Sequence, residues 1–314
     1  MGHSRRTTGF WHPALFYRGE AQFLDGCLPF VRDGVLAGDP VAVAVPGARL
    51  ALLQKALRAE IGRDADRVRF LDMGRAGRNP AWIIPGVLRD FADRHPHERV
   101  RIIGEPIWHG RSELEYPACA QHEALINMAF TGRDVAILCP YDADGLDGRA
   151  LADAARTHPV LLDHDAEWDS DDYAPEAVVD GYNRPLPPAP ADAPNLPFDW
   201  DAFERCRAFA LDRAAAAGLS DERGRDAELA VSELVANSIV HGGGTGVLAA
   251  WREQDLAVFE VRDSGHIADP LAGRRPADPL TPGGRGILLV NRMADLVRVH
   301  TTAAGTTVRI FFAR

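Results

Sequence analysis

Residues 233–242 read ELVANSIVHG, and this stretch decides the fold predicted for the C-terminal third of the chain. In a helix, Glu233 and Asn237 stand four residues apart and share one face, with Cβ atoms about 5–6 Å apart. An amide oxygen can coordinate a hard cation such as Mg²⁺, and a neighbouring carboxylate can orient or deprotonate an attacking hydroxyl. The same spacing also arises by chance, as two solvated polar residues of an ordinary helix.

Three further motifs follow this helix in order. Asp263-Ser264-Gly265 comes straight after a predicted strand, where the carboxylate can read a purine amino group or simply make an ordinary turn. Gly283-Gly284-Arg285-Gly286 opens the next predicted helix, as a phosphate cradle of backbone N–H groups or as a flexible loop end. Gly305-Thr306-Thr307 begins the last predicted strand, where a hydroxyl can meet phosphate or support that cradle. Each motif is weak alone, but their order and spacing together favour a nucleotide site.

The pattern around these motifs predicts an α+β domain over residues 198–314. It indicates one mixed sheet with helices on one face. Helices are predicted at 201–216, 221–240 and 285–294, and strands at 246–252, 256–262, 296–302 and 306–312.

This region resembles the GHKL ATPase domain, the Bergerat fold shared by gyrase, Hsp90, MutL and histidine kinases. Glu233 and Asn237 match the N box, Asp263 and Gly265 the G1 box, Gly284 and Gly286 the G2 box, and Gly305 and Thr306 the last box. The resemblance implies ATP and Mg²⁺ as cofactors, with Asp263 reading adenine, Asn237 binding Mg²⁺ and Glu233 acting as the base. His241 and Arg285 complete the predicted nucleotide-binding residues. The family's D-x-G-x-G pattern ends here in Ile267, which predicts an altered adenine pocket.

Within that family, the helix at 233–242 and the short loop from Asp269 to Pro282 are most similar to the anti-sigma-factor kinases of the RsbW/SpoIIAB type. A histidine kinase needs a helical hairpin bearing a phospho-accepting histidine, and the proline-rich stretch before residue 198 cannot supply it. The resemblance implies a protein serine/threonine kinase that acts on an anti-anti-sigma (STAS) partner and/or sequesters a sigma factor. It also implies a homodimer paired through the sheet face away from the nucleotide.

Three alternatives stay open for this domain. It can be a non-catalytic module in which ATP shapes a partner surface, a histidine-kinase-like regulator without its own phospho-acceptor, or a free-standing ATPase. Transfer of phosphate to a partner protein distinguishes the kinase from all three.

The segment before this domain, residues 163–197, is acidic and rich in proline. It holds nine acids and one arginine, and therefore carries almost all of the net charge of −10. Seven prolines between Pro175 and Pro197 stiffen the chain toward polyproline II, which predicts an exposed linker. Neither flanking domain is basic, which argues against direct nucleic-acid binding.

The N-terminal region, residues 8–162, alternates buried strands with amphipathic helices. This order predicts an α/β domain with a mainly parallel sheet and ligands at the carboxyl ends of its strands. Lys55, the only lysine, lies in LQKA, so the chain has no Walker A loop. Strands are predicted at 39–46, 67–73, 100–103 and 135–139, and helices at 49–61, 83–95 and 112–130.

Six short motifs in this region resemble the MEDS sensory domain, a RecA/KaiC-like relative that lost its P-loop. They are HPALFY (12–17), GRNP (77–80), GEPIW (104–108), HEALIN (122–127), CPYD (139–142) and THP (157–159). The resemblance implies an unknown small organic molecule as ligand. The combination of both domains resembles RsbA-family anti-sigma factor regulators.

Polar residues of these motifs are candidates for the sensory pocket. The alternative is that they form buried ion pairs and hydrogen bonds that fasten loops. A metal site at His122-Glu123 is not favoured, because its spacing matches no known cage. The candidates are Arg78, Glu105, Trp108, Arg111, His122, Glu123, Tyr141 and His158.

Simple features of the whole chain limit where in the cell the protein is expected. No apolar run approaches 18 residues, which predicts no membrane span, and no secretory signal is visible near Arg5 and Arg6. The four cysteines (Cys27, Cys119, Cys139 and Cys206) are far apart and are expected to be isolated buried thiols. A cytoplasmic protein is the expectation.

Overall fold

The structure, a computed structural model, describes residues 9–276 and 284–314. The chain divides between Tyr182 and Asn183 into two compact units. Pro282 and Gly283 of the predicted loop and cradle, and the first residue of the predicted N-terminal domain, lie outside the described residues. Within the described ranges, every helix is too short or too polar to cross a bilayer.

The N-terminal unit is built on a seven-stranded sheet of order β3-β2-β4-β5-β1-β6-β7. All neighbours pair in parallel except β6 and β7, so the predicted mainly parallel α/β sheet is confirmed. Its strands are β1 (Pro13–Tyr17), β2 (Val41–Val45), β3 (Arg69–Asp72), β4 (Val100–Gly104), β5 (Val135–Asp142), β6 (Val160–Leu162) and β7 (Glu167–Asp169). Its helices are α1 (Gly19–Ala37), α2 (Gly47–Ile61), α3 (Met73–Ala76), α4 (Pro80–Ile83), α5 (Asp90–Ala92), α6 (Tyr116–Ala129), α7 (Gly148–Thr157) and α8 (Pro175–Tyr182).

The single helix predicted at 83–95 is wrong in detail. A π-helical segment, Ile84–Arg89, separates α4 from α5. Pro85 has no N–H to donate to the carbonyl one turn earlier, and inserting a proline commonly widens or breaks the regular helical ladder. The strand β1, which lies between β5 and β6 in the sheet, was also not predicted.

The segment predicted as a linker is divided between the two units. Residues 163–182 contain β7, which pairs with β6, and α8, whose Val179 carbonyl accepts a hydrogen bond from Gln121 on α6. Further along, the Asn183 amide donates to the Thr301 carbonyl and its oxygen accepts from the Thr301 amide. Proline limits regular helix in this segment, but its carbonyls and polar side chains still make ordered contacts.

The C-terminal unit has a five-stranded sheet of order β11-β12-β10-β9-β8, with helices packed against it. Every neighbouring pair is antiparallel, so the expected mixed sheet is wrong, while the α+β class is confirmed. The strand β8 was not predicted, since its sequence NLPF is short and contains a proline. The elements are β8 (Asn195–Phe198), α9 (Phe203–Ala217), α10 (Asp221–His241), β9 (Gly246–Glu253), β10 (Leu256–Asp263), α11 (Gly286–Met293), β11 (Leu296–Thr302) and β12 (Gly305–Ala313).

The outer face of this sheet, on the side opposite Phe259 and Phe312, is largely buried. Glu260 and Arg309 are cross-strand partners and form a buried ion pair there. Arg309 also donates to the carbonyl of Pro187 in the proline-rich segment. The predicted homodimer would use this face, so pairing through it would require that contact to be displaced.

Candidate functional site

A cavity of about 540 Å³ lies in the C-terminal unit between α10, α11, the ends of β10 and β12, and the loop after β10. Its volume suits a small organic ligand. The predicted nucleotide-binding residues that line it are Asn237, His241, Asp263, Gly265, Gly284, Gly286 and Thr306. Apolar walls are added by Leu234, Val261, Ile267, Leu271, Ile287 and Val308.

Asp263 ends β10, and its carboxylate is held from two sides. The Ser238 hydroxyl on α10 lies 2.5 Å from Oδ2, and the amide of Gly265 donates to Oδ1 at 2.8 Å. A carboxylate can accept about four hydrogen bonds, so this one keeps acceptor capacity toward the cavity. It is therefore oriented to receive a donor such as an exocyclic amine.

Two glycines make room for this carboxylate. A Cβ atom on Gly242 would lie 2.5 Å from Cγ of Asp263, and one on Gly265 would lie 2.7 Å from Cα of Gly242. The Ser264 amide donates to the Gly242 carbonyl at 3.2 Å, which ties the loop to the end of α10. Gly242 followed the quoted helix in the sequence but was not assigned this packing role.

Gly286, the first residue of α11, packs directly against the acid and amide of α10. A Cβ atom there would stand 2.8 Å from Oε2 of Glu233 and 3.1 Å from Nδ2 of Asn237. Both α10 side chains are half-buried. Glu233 is outside the cavity's lining, so it approaches the site only through its neighbours Asn237 and Gly286. The structure thereby places the predicted glycine in contact with the predicted acid and amide.

The remaining predicted residues on the two helix ends are more exposed. His241 lies in the last turn of α10 on the cavity rim. Gly284 is exposed with φ +74°, a left-handed conformation that favours glycine. Arg285 is the exposed residue immediately before α11.

Thr306 fastens the loop after β10. Its hydroxyl donates to the Gly265 carbonyl at 2.8 Å and lies 2.7 Å from the hydroxyl of Thr301. Thr301 in turn accepts from the amide of Ile267 at 2.9 Å. These contacts support the loop after β10, whereas the roles predicted for Thr306 were contact with phosphate or support of the cradle at 283–286.

Ile267 occupies the position where the resembled family has glycine. Among the described residues, Gln254 is the only non-glycine residue with positive φ, so the backbone at Ile267 does not require glycine. The side chain lines the cavity and adds apolar surface to it. Ser238 and Thr301, which position Asp263 and this loop, were missed because an isolated Ser or Thr carries no distinctive sequence signal.

In the N-terminal unit, the structure does not gather the candidate sensory residues around one point. Glu105, at the end of β4, is buried and accepts hydrogen bonds from Tyr17 at 3.1 Å and Arg49 at 2.6 Å. Arg49 also donates to Asp142, so these groups link the carboxyl ends of β4 and β5. Burial raises the pKa of Glu105 to about 8 although Arg49 opposes the shift, and burial raises that of Tyr17 as well.

Arg111, Trp108 and Arg78 form a separate loop cluster. The Arg111 guanidinium lies 4.0 Å from the Trp108 ring centroid and donates to the carbonyls of Gly77 at 2.6 Å and Arg78 at 3.0 Å. The side chain of Arg78 is exposed. These contacts fasten two loops together, which is the alternative weighed for this set.

His122, Glu123, Tyr141 and His158 are buried. Glu123 faces two histidine rings, with Oε2 3.3 Å from Nε2 of His158 and 3.5 Å from Nε2 of His12. Burial, reinforced by His158, lowers the pKa of His12 to about 4. His12 was missed as a site residue, although it opens the HPALFY motif.

Comparisons with known proteins agree with this two-unit organisation. Residues 11–159 match the family model described as MEDS, the methanogen/methylotroph, DcmR sensory domain, and residues 196–312 match the histidine kinase-like ATPase domain. The chain therefore consists of a MEDS domain followed by a histidine kinase-like ATPase domain.

Among solved structures, one that matches is the crystal structure of the RsbU and RsbW domains of Rv1364c from Mycobacterium tuberculosis. The match has 23% identity and a TM-score of 0.29, covering 38% of this chain and 32% of that one. It thus spans about a third of the length of the solved chain. No curated protein gives a significant match.

Proposed function

We propose that the C-terminal unit binds Mg-ATP and transfers its terminal phosphoryl group to a serine or threonine of an anti-anti-sigma (STAS) protein. The same unit is proposed to hold a sigma factor when that partner is absent or phosphorylated. Partners of this kind place the protein in the cytoplasm. One observation carries the proposal: Gly286 and Asn237 line the same cavity as Asp263, and Gly286 also packs against Glu233.

The residues present fit a magnesium–nucleotide complex. The cavity has apolar walls that can contact a nucleotide base, and Asp263 supplies a fixed hydrogen-bond acceptor at one end. Gly286 leaves space beside Asn237 that a Cβ atom would fill, and Asn237 offers an amide oxygen of the type that Mg²⁺ accepts. Mg²⁺, when bound, neutralises charge on the phosphates.

The protein's own groups have distinct proposed roles. Asp263 accepts a hydrogen bond from the adenine amino group, and Asn237 holds the cation through Oδ1. Backbone N–H groups at the start of α11 bind phosphate oxygens, which the helix dipole favours. Glu233 orients the partner's hydroxyl and accepts its proton on the carboxylate, so catalysis is mainly positioning and charge neutralisation.

The N-terminal unit is proposed to sense a small organic molecule and to bias this output. The MEDS match supports the sensory role, since that family is described as a sensory domain. Glu105 is the candidate ligand contact that the structure supports best, because its buried Oε2 has no hydrogen-bond partner among the described residues.

The test is transfer of label from γ-labelled ATP to a purified STAS protein by the full-length chain. We expect transfer by the wild type, loss of at least about 100-fold in Glu233→Gln, and near-normal ATP binding by that variant. Glu222→Gln, which removes an exposed acid from the first turn of the same helix, is the matched control and keeps full transfer.

Two results would contradict the kinase. Partner binding without any transfer, unaffected by Glu233→Gln, would indicate a non-catalytic ATP-binding module. Steady phosphate release in the absence of any partner, at a rate that the partner does not change, would indicate a free-standing ATPase.

A further inference from the structure

A second cluster with the composition of a metal site lies inside the N-terminal unit. It consists of His12, Glu123, Cys139 and His158, all of them buried. Each offers one potential ligand atom, and the four atoms all lie within 4.8 Å of one another. Two nitrogens, one oxygen and one sulfur are a donor set typical of Zn²⁺ and related divalent transition metals.

The fold brings these residues together from distant parts of the chain. Cys139 lies on β5, beside Ala14 of β1 in the sheet, and His12 immediately precedes β1. His158 precedes β6, the neighbour of β1 on its other side, and Glu123 comes from α6. This origin on separate elements explains why no ligand spacing is visible in the sequence.

The distances within the cluster fit a four-coordinate ion. Nε2 of His12 lies 3.4 Å from Sγ of Cys139 and 3.5 Å from Oε2 of Glu123, and Nε2 of His158 lies 3.3 Å from the same oxygen. Metal–ligand bonds of zinc sites in tetrahedral geometry separate neighbouring ligand atoms by about 3.3–3.6 Å. Three of the six ligand–ligand distances are therefore already those of such a site, and all four atoms lie within 4.8 Å of one another.

The outer nitrogens of both rings are oriented as in metal-binding histidines. Nδ1 of His158 lies 2.9 Å from the Ala154 carbonyl, which can only accept, so Nδ1 carries the proton. Nδ1 of His12 lies 3.0 Å from Oδ1 of Asn127, whose amide group donates to the Thr157 carbonyl. In a neutral ring, each Nε2 therefore directs a lone pair into the cluster, and second-shell acceptors of this kind set the ligating tautomer.

Without a cation these groups are poorly satisfied. Neither oxygen of Glu123 has a hydrogen-bond partner among the described residues, and neither has Nε2 of His158. Buried polar groups are normally well satisfied, so a buried carboxylate that meets only a thiol and two ring nitrogens at 3.3 and 3.5 Å indicates a site for a positive ion.

We propose that His12, Glu123, Cys139 and His158 bind one divalent transition-metal ion of the zinc type. The cluster is closed to solvent, so the ion has a structural role: it fastens α6 to β5 and to the starts of β1 and β6. Binding deprotonates the Cys139 thiol, and that proton leaves to solvent as the ion enters.

The first test is the metal content of the untagged full-length chain, purified without chelators and measured by mass spectrometry. We expect about one zinc-type ion per chain in the wild type and substoichiometric metal in Cys139→Ser and Glu123→Gln. Cys27→Ser is the matched control, because Cys27 is a buried cysteine of the same unit outside the cluster, and it keeps its metal.

The second test uses cobalt(II) alone, added after chelator treatment. Tetrahedral cobalt bound by a thiolate has an intense visible spectrum and a thiolate charge-transfer band, which we expect in the wild type and in Cys27→Ser. Cys139→Ser loses the charge-transfer band. Asn127→Ala leaves all four ligands in place but removes the acceptor of His12 and the amide that donates to the Thr157 carbonyl. It weakens cobalt affinity by about 10- to 100-fold while the band remains.

Circular dichroism of each variant distinguishes a lost ligand from a lost fold. If Cys139→Ser does not fold, the proposal is tested by the cobalt affinity of Asn127→Ala and by the metal content of Glu123→Gln. A metal-free wild type that gives no tetrahedral cobalt spectrum overturns the proposal and indicates a buried ion pair between Glu123 and a protonated histidine. An identical cobalt spectrum in Cys139→Ser also overturns it.

Discussion

Gly286 at the start of α11 lies so close to Asn237 on α10 that a Cβ atom would stand 3.1 Å from the amide nitrogen and 3.3 Å from the amide oxygen. The same atom would be 2.8 Å from Oε2 of Glu233. Both clashing groups are ends of flexible side chains, so a larger residue would displace them and leave the backbone in place. This contact links the glycine of one motif to the acid and amide of another.

Gly286→Ala is therefore expected to weaken Mg-ATP binding by about tenfold or more, which corresponds to about 1.4 kcal/mol, with little change in thermal stability. Isothermal titration of the full-length chain measures the affinity. Gly224→Ala is the matched control within α10, because its Cβ atom would make only an ordinary 3.8 Å contact with Ala214. Equal ATP affinities of Gly286→Ala and Gly224→Ala would contradict the proposed role of the contact between Gly286 and the side chains of Glu233 and Asn237.

Ser238 tests whether the orientation of Asp263 matters for base recognition. Ser238→Ala removes the hydroxyl 2.5 Å from Oδ2 and is expected to lower ATP affinity by about three- to tenfold, the value of roughly one hydrogen bond. GTP, which lacks the adenine amino group, is expected to bind weakly to both proteins. Ser232→Ala, which removes a buried hydroxyl bonded to the Glu228 carbonyl on the same helix, is the control. A similar loss in both serine variants would assign the effect to helix stability.

The sequence predicted the motifs of the nucleotide site better than the contacts that support them. Glu233, Asn237, Asp263 and Gly286 carry chemistry whose order along the chain is recognisable. Ser238 and Thr301 act through hydroxyl contacts that reach across 25 and 34 residues of sequence, and no local pattern indicates such partners. For the same reason, the grouping of His12, Glu123, Cys139 and His158 was not predicted, although Glu123 and His158 were candidate sensory residues.

The fold could be predicted where the hydrophobic periodicity was clear. It could not be predicted where backbone hydrogen bonding determines the direction and pairing of strands. The parallel N-terminal sheet followed from the alternation of strands and helices. Strand direction in the C-terminal sheet depends on how its connections return, which residue patterns do not specify, and the expected mixed sheet was wrong. The proline content of residues 163–197 gave no sign of β7, α8 and β8, because tertiary contacts stabilise these elements.

Glu105 is expected to make stability depend on pH. Burial raises its pKa in the folded protein to about 8 from an ordinary 4.5, so the folded state retains a proton that the unfolded chain releases. The stabilising contribution is complete below pH 4.5 and is lost as pH rises toward 8, at up to about 1.4 kcal/mol per pH unit. Calorimetry of wild type and Glu105→Gln at several pH values in this range measures the difference.

In Glu105→Gln the stability of the N-terminal unit is expected to fall less with pH than in the wild type. Glu113→Gln, at an exposed acid whose side chain pairs with Arg149, is the control and keeps the wild-type slope. Parallel pH profiles for the wild type and Glu105→Gln would show that Glu105 remains ionised throughout this range.

Arg309 and Glu260 test the buried outer face of the C-terminal sheet. Their side chains are 7% and 3% exposed, and Arg309 also donates to the Pro187 carbonyl. Arg309→Leu leaves the buried Glu260 charge with only the exposed Arg262, 3.4 Å away, as a partner, and is expected to destabilise this unit by up to about 3–5 kcal/mol. The double variant Glu260→Leu/Arg309→Leu removes both charges and is expected to recover most of that loss, as judged by calorimetry. A double variant no more stable than Arg309→Leu would show that the loss of stability comes from lost packing.

Light scattering on the same samples also tests the homodimer, because releasing Pro187 from Arg309 is expected to favour pairing through this face.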